Sequence, residues 1–319
     1  MPELPEVEVV RAGLAPAVTN ARVIAVSVLD PRALKRHVPL GGEDDGEGAH
    51  GRTLSSEAGH RRSADFERRL TGQLLAAPQR RGKFLWIPLA SELSARDSSA
   101  SESALLAHLG MSGQLLLRAT DAGDDRHVRI RLWIEHPDHG ELRLDFADQR
   151  LFGSLALDGL VATEPTGLIP AQAAHIARDP LDPHFDDSEF VRRLRSRATG
   201  VKKLLLDQSL VSGVGNIYAD EALWRARIHP ETLGTSVSQR AATALLSHVR
   251  DVFAQALAEG GTSFDAQYVN VNGQAGYFEN SLNAYGRGGE PCPRCGGKIK
   301  RIAFGGRGSH FCPRCQRRR

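Results

Sequence analysis

The chain's only four cysteines, Cys292, Cys295, Cys312 and Cys315, all fall within its last 28 residues. Their spacing is C-x2-C, sixteen residues, C-x2-C. Each pair puts two sulfurs on one tight turn, and two such turns let four thiolates close a tetrahedron around zinc. A closed set of four leaves no open coordination position, so this metal is structural rather than catalytic. A redox dithiol would need one pair only. Between the pairs, apolar pieces flank Gly305 and Gly306, the pattern of a β-hairpin, with Arg307 near its tip able to reach a phosphate or simply to stand in solvent. At the other end, Pro2 follows the initiator methionine, whose removal a small second residue permits. The resulting secondary amine, with a pKa near 8, is about a tenth neutral at pH 7. Its attack on a sugar C1′ would give a charged iminium, an electron sink for elimination. Met-Pro by itself establishes no such role.

The rest of the composition bounds the setting. With 319 residues, 41% hydrophobic and 25% charged, the chain reads as an ordinary globular protein of about two domains. Its start has neither a basic leader nor an unbroken apolar core, and no later stretch approaches roughly 20 apolar residues. Secretion and membrane spanning are not expected, and the clustered cysteines suit a metal site in a reducing cytoplasm rather than a disulfide framework. The net charge of +3 hides an asymmetry: residues 286–319 hold ten basic residues against Glu290 alone, which leaves the remainder slightly acidic. A basic module on an acidic body suits a polyanion partner, since phosphate contacts release counterions; a solvated basic tail is the plainer alternative.

Several elements must position these groups. Residues 5–18 carry Val7, Val10 and Leu14 at helical spacing, with Pro5 and Glu6 suited to a first turn. Runs rich in β-formers follow at 22–29, 84–89, 105–109, 114–117, 127–134, 141–146 and 155–157, which predicts a β-sandwich or barrel and not a parallel sheet with crossover helices. Residues 41–65 hold only four apolar side chains and predict a mobile loop; the serine-rich 90–103 reads the same way. Residues 159–187, with four prolines, read as a linker. Helical patterns then occupy 188–194, 201–210, 217–225 and 237–258. The fold class is therefore α+β: an N-terminal β-sandwich domain (1–158, with insertions near 41–65 and 90–103), a helical domain (188–285) and a four-cysteine hairpin (286–319). The SGVGN turn at 212–216 lacks the third glycine of a dinucleotide loop and follows a helix, so a Rossmann reading is rejected; its glycines allow close backbone approach, and the next helix offers N–H groups to a phosphate.

Six motifs occur in order: PELPEVE (2–8), RRGKFLW (80–86), HLGMSGQL (108–115), DQRLFG (148–153), KKLLLDQSLVSGVGNIYADE (202–221) and the cysteine hairpin. Together they closely resemble bacterial formamidopyrimidine-DNA glycosylase, a bifunctional family that removes oxidised purines such as 8-oxoguanine, across nearly the whole chain except the two insertions. The resemblance implies a clamp with a helix-two-turns-helix element and a zinc-finger hairpin, one structural zinc, damaged double-stranded DNA as partner, no membrane, and a monomer working in the nucleoid-bearing cytoplasm. Pro2 would be the Schiff-base nucleophile and Glu3 the acid that protonates the sugar oxygen. Glu6 would lie near the reacting nucleotide, Lys83 would serve β-elimination, and Arg307 δ-elimination and phosphate contact. Apart from the family, Glu3 and Glu6 are ordinary helix-start charges and Lys83 a strand-end cation. Met111, Arg150 and Phe152 resemble the set that fills the gap left by an extruded base, although their residue types alone would put Met111 and Phe152 in a core. Lys202 and Asn216 align with backbone-phosphate contacts, as do His127 and Arg197 in shorter contexts, and residues 264–278 would form the loop over the flipped base.

Two rival readings stay open at this point. The sister glycosylase for oxidised pyrimidines, resembling endonuclease VIII, shares Pro2, Glu3 and the zinc hairpin, but the PELPEVE start and the Met111, Arg150, Phe152 pattern favour the purine enzyme. A catalytically silent zinc-containing DNA-binding protein would need Pro2 blocked or Glu3 idle, a state that retained Met1 would produce. A metal-dependent nuclease lacks support, since no further His and carboxylate cluster suggests an open site.

Overall fold

The computed structural model describes residues 2–42, 53–90, 102–165, 167–262, 271 and 276–318. The chain forms two compact units, one of Met1–Pro2, Glu6–Ala174 and Ser263–Ala275, the other of Glu3–Pro5, His175–Thr262 and Gly276–Arg319. Helix α1 (Leu4–Val18) buries Val7, Val10 and Leu14, the stripe its spacing requires.

In the first unit, ten strands form one antiparallel sheet: β1 (Arg22–Val28), β2 (Leu74–Leu75), β3 (Gln79–Arg81), β4 (Phe84–Ala90), β5 (Ser103–His108), β6 (Gly113–Arg118), β7 (Val128–His136), β8 (Gly140–Asp148), β9 (Ser154–Ala162) and β10 (Leu168–Pro170). Their order is β10-β9-β5-β4-β2-β1-β7-β8-β6, with β3 paired to β4. Strand β7 alternates buried and half-buried side chains, while β4 is buried on both faces and reads as a continuous apolar run. Both contribute to one core with α1, where Ile87, Leu105, Ile130, Ile134 and Phe146 join Leu14.

Two expectations need correction. The predicted loop at 41–65 has residues 43–52 outside the description, but from Ser56 it enters helix α2 (Ser56–Leu70). The Ser55 hydroxyl accepts the Ala58 N–H and caps the helix. Counting apolar residues missed this helix because part of its inner face is charged: Arg62 and Asp65 are buried beside Phe66, Arg62 donates to the Leu34 carbonyl, and Asp65 receives Arg68, Arg69 and His37. The predicted linker at 159–187 begins inside the sheet, since β9 continues to Ala162 and pairs with β10 from Leu168↔Ala162 to Pro170↔Leu160. Its prolines misled because β10 is an edge strand, where a missing N–H is tolerated. Of the serine-rich insertion, residues 91–101 lie outside the described residues.

The second unit is helical: α3 (Asp187–Arg195), α4 (Val201–Leu205), α5 (Asn216–Ala226) and α6 (Gln239–Ala258), then the hairpin β11 (Lys300–Phe304) and β12 (Arg307–Phe311). Its core packs Phe190 and Leu194 of α3, Tyr218 of α5, Phe253 of α6 and Phe278. Helix α4 stops well short of the predicted 201–210, because the Asp207 carboxylate takes the Ser209 N–H and hydroxyl and turns the chain.

Candidate active site

Within the second unit, Glu3 is the organising group. It is 1% exposed, and its carboxylate accepts N–H groups from Gly215 (2.6 Å), Ile217 (2.9 Å) and Tyr218 (3.4 Å), the first turn of α5. Helix α5 has no side-chain cap of its own, so a residue more than two hundred positions away supplies it. The positive end of the helix favours negative charge there. Glycine is required at the approach: a Cβ on Gly215 would lie 2.3 Å from the Glu3 carboxyl carbon, and one on Gly213, at φ +88°, would meet Leu4 at 2.6 Å. The Leu4 N–H donates to the Gly213 carbonyl at 3.1 Å, fixing the backbone next to Glu3.

Beside this cap lies a second network. Lys202 of α4 is fully buried, its Nζ 2.7 Å from Asp220 Oδ1 and 5.1 Å above the Phe304 ring. Burial holds its ammonium below the ordinary lysine range, against the pull of Asp220 and Glu3 and with the help of Arg307. Asp220 also accepts the Ser309 hydroxyl (2.9 Å) and the His310 N–H (2.8 Å), and Asn216 Nδ2 donates to the Gly308 carbonyl at 2.9 Å. These bonds tie α4 and α5 to β12, at whose start Arg307 is exposed. Burial raises the Tyr285 hydroxyl, which also feels Asn216, Glu3, Asp220 and Arg307. The second unit thus assembles Glu3, Lys202, Asn216 and Arg307 in one place. Arg197 stands apart, paired with Asp207 at 2.6 Å.

The four cysteine sulfurs lie within 4.8 Å of one another. A tetrahedron with zinc–sulfur bonds of about 2.3 Å has edges of about 3.8 Å, so the set fits one zinc. Supporting groups surround it. The Trp224 indole N–H donates to Cys292 Sγ at 3.4 Å, and Arg294 stacks on that indole at 4.0 Å. Burial raises the Cys292 thiol, but the Trp224 donor and the N–H groups of Arg294 and Cys295 outweigh it and bring the thiol to about 6. Gln316, 1% exposed, accepts the Cys312 N–H and donates to the Ile228 carbonyl, joining the knuckle to the end of α5. Glu221, wholly buried, takes the N–H groups of Asn283, Ala284 and Tyr285 and anchors the chain entering the hairpin.

The first unit carries the other candidates. Lys83 occupies the second position of the two-residue turn between β3 and β4, after Gly82 at φ +55°. Arg80 donates to the Gly82 carbonyl (3.1 Å) and to Glu8 of α1 (2.9 Å), which fixes that turn. His108, at the end of β5, is pushed down to about 3 by burial first and then by Arg36, Lys83 and Lys35. Glu6 is 2% exposed in α1. Met111 is half-buried and Phe152 is 44% exposed with the Arg150 guanidinium 4.9 Å above its ring, so the core reading of Met111 and Phe152 fails. His127 is half-buried in the loop before β7, its carbonyl accepting the Asp148 N–H. The 264–278 loop falls mostly outside the described residues.

Sequence reasoning missed Asp148, Asp220, Glu221, Trp224 and Gln316. The first three lie inside the motifs DQRLFG and KKLLLDQSLVSGVGNIYADE, where acids set among apolar residues, as Asp220 and Glu221 are between Ile217 and Leu223, were the available signal.

Among the described residues no helix is long and apolar enough to cross a membrane. Family models match residues 1–155 (Formamidopyrimidine-DNA glycosylase N-terminal domain), 176–267 (Formamidopyrimidine-DNA glycosylase H2TH domain) and 289–318 (Zinc finger found in FPG and IleRS). The formamidopyrimidine-DNA glycosylase of Leifsonia xyli subsp. xyli is 55% identical over 313 residues, covering 95% of each chain. That of a Nocardioides species is 52% identical over 304 residues, covering 95% of this chain and 90% of its own. A solved complex of a Lactococcus lactis FPG mutant with Fapy-dG containing DNA superimposes with a TM-score of 0.77 at 29% identity, covering 99% of this chain and 100% of that one. With likeness of this extent in both units and in the hairpin, the chain belongs to the formamidopyrimidine-DNA glycosylase family.

Proposed function

We propose that this chain excises oxidised purines, 8-oxoguanine and ring-opened formamidopyrimidines, from duplex DNA and then cleaves the abasic site by β,δ-elimination. The observation that carries the reading is the seat of Glu3: three backbone N–H groups hold its carboxylate beside Lys202, Asn216 and Arg307, and Pro2 is bonded directly to it. That the solved relative holds Fapy-dG containing DNA supports the purine substrate.

In this reading the Pro2 amine, freed by loss of Met1, attacks C1′ as the bond to the base breaks and the base leaves. A carboxylate in the Glu3 cradle takes the proton that the attacking amine sheds and returns it to the sugar ring oxygen as the ring opens, leaving an iminium at C1′. Loss of a C2′ proton, with Lys83 in attendance, expels the 3′ phosphate; loss of a C4′ proton then expels the 5′ phosphate, with Arg307 stabilising the departing charge. Asn216 positions the backbone phosphate, the buried Lys202 contributing its charge and its tie to Asp220 rather than a direct contact, and Arg197 and His127 add flanking contacts. Met111, Arg150 and Phe152 fill the stack, which offsets the few kcal/mol that extrusion costs. The zinc holds the hairpin that carries Arg307 and supplies no chemistry to the reaction. The protein acts on DNA as a monomer in the cytoplasm.

The test is strand cleavage of duplexes carrying 8-oxoguanine, a formamidopyrimidine or an oxidised pyrimidine, each opposite cytosine or its usual partner. Faster cleavage of both purine lesions is expected. A preference for the pyrimidine would transfer the chain to the endonuclease VIII-like activity.

A further inference from the structure

Asp148 ends β8 with no exposed surface. Its carboxylate receives four hydrogen bonds: Oδ1 accepts the Ser112 hydroxyl (2.5 Å) and the N–H groups of Arg150 (3.1 Å) and Leu151 (3.1 Å), and Oδ2 accepts the Gly153 N–H (2.6 Å). Three of these shape the loop that displays Arg150 and Phe152, and the fourth reaches the loop that displays Met111. Leu151 sits in the left-handed region at φ +54°, a conformation that a leucine keeps only when its surroundings impose it. Lys35 Nζ closes on the Leu151 carbonyl at 2.7 Å, and Arg129 Nε donates to the Asp148 carbonyl at 2.9 Å. The two loops also meet through backbone. A Cβ on Gly110, at φ +62°, would lie 2.4 Å from the Phe152 carbonyl carbon, and one on Gly153 would lie 2.8 Å from the His108 carbonyl oxygen.

A buried carboxylate with four donors and no exposed surface does not touch a substrate. We infer that Asp148 is a positioning residue that locks the Met111 loop and the Arg150–Phe152 loop into one rigid wedge, so that the side chains filling the stack enter DNA as a unit. This rests on the proposed glycosylase reading. Pre-organising three side chains matters at the extrusion step, where a base must leave the stack; it matters little when the site is already abasic.

The experiment compares wild type, Asp148→Asn and Ser112→Ala on two duplexes of one sequence, carrying either 8-oxoguanine or a pre-formed abasic site opposite cytosine, with thermal melting of each protein as control. Asn keeps the shape but replaces one acceptor oxygen with a donor, so excision of 8-oxoguanine should fall about tenfold while cleavage at the abasic site stays within about twofold. Ser112→Ala removes only the bond between the loops and should give the same selective loss, about threefold, in a protein that melts like wild type. Equal loss on both substrates, or unchanged excision in Ser112→Ala, overturns the assignment. A wild-type protein that leaves 8-oxoguanine in place contradicts the function itself, and this assignment with it.

Discussion

Replacing Asp220 tests the link between α4, α5 and the zinc hairpin. Lys202 Nζ and Asp220 Oδ1 are 2.7 Å apart with side chains 0% and 1% exposed. Asp220→Asn leaves an ammonium buried without its counter-charge and costs about 3–5 kcal/mol. In a unit of this size each kcal/mol moves the midpoint by roughly 2–4 °C, so the melting transition of the helical unit should fall by about 10 °C. Because burial already holds the Lys202 ammonium below its ordinary range, the pair itself contributes little net stability; what costs is breaking it from one side. The double variant Lys202→Met, Asp220→Asn, which keeps an acceptor for the Ser309 hydroxyl and the His310 N–H, should therefore regain much of the lost temperature, even though it lacks the Lys202 charge and should bind DNA less tightly. Differential scanning calorimetry of wild type, the single variant and the double variant measures this directly. A single variant that melts with wild type, or a double variant less stable than the single, would show that the Lys202–Asp220 pair does not hold these elements together.

Gly215→Ala places a methyl 2.3 Å from the Glu3 carboxyl carbon, and should cut base excision at least about tenfold through displacement of Glu3 alone, measured by single-turnover kinetics; wild-type rates would dissociate Glu3 placement from catalysis. Glu3→Gln should suppress base removal more strongly while leaving the fold intact. His37, fully buried, is brought from 6.5 to about 4 chiefly by burial, with its Nδ1 accepting the Leu157 N–H and its other nitrogen facing Asp65. Since the folded state resists protonation, stability of the first unit is fully present above pH 6.5 and declines as pH falls toward about 4, by about 3 kcal/mol from this group, with His108 adding a share that extends lower. Urea unfolding against pH should show this slope, reduced in His37→Gln. Trp224→Phe removes the donor to Cys292 Sγ and should weaken zinc binding about 10–100-fold in a chelator competition. Cys292→Ser should release the metal and abolish tight DNA binding; retained tight binding without metal would count against the hairpin as the grip.

The elements that were legible in the chain are those whose side chains follow one period. The alternation of β7 and the apolar stripe of α1 gave their elements within a residue or two, and the two C-x2-C pairs gave the hairpin and its metal. Helix α2 was hidden because Arg62 and Asp65 lie on its buried face, and a count of apolar residues treats both as solvent-facing. Strands β2 and β3 are too short to show a period, and the prolines around β10 mark an edge strand as readily as a linker. The candidate site was legible through its motifs, yet its physical organisation was not. Nothing in the chain says that Glu3 caps a helix more than two hundred residues on, since the pairing is purely tertiary. Lys202 reads as a surface cation until Asp220 is seen beneath it, and Asp148 reads as a loop acid until four donors are found converging on it.

The most direct test of the central claim is borohydride trapping of the protein that begins at Pro2, as shown by intact mass, on a duplex with one 8-oxoguanine opposite cytosine, in parallel with an oxidised-pyrimidine duplex, followed by peptide mapping of the adduct. A covalent adduct on the Pro2 nitrogen with the oxidised purine is expected, weakened in Pro2→Gly. An adduct mapped to a lysine, or none on either duplex, would contradict it.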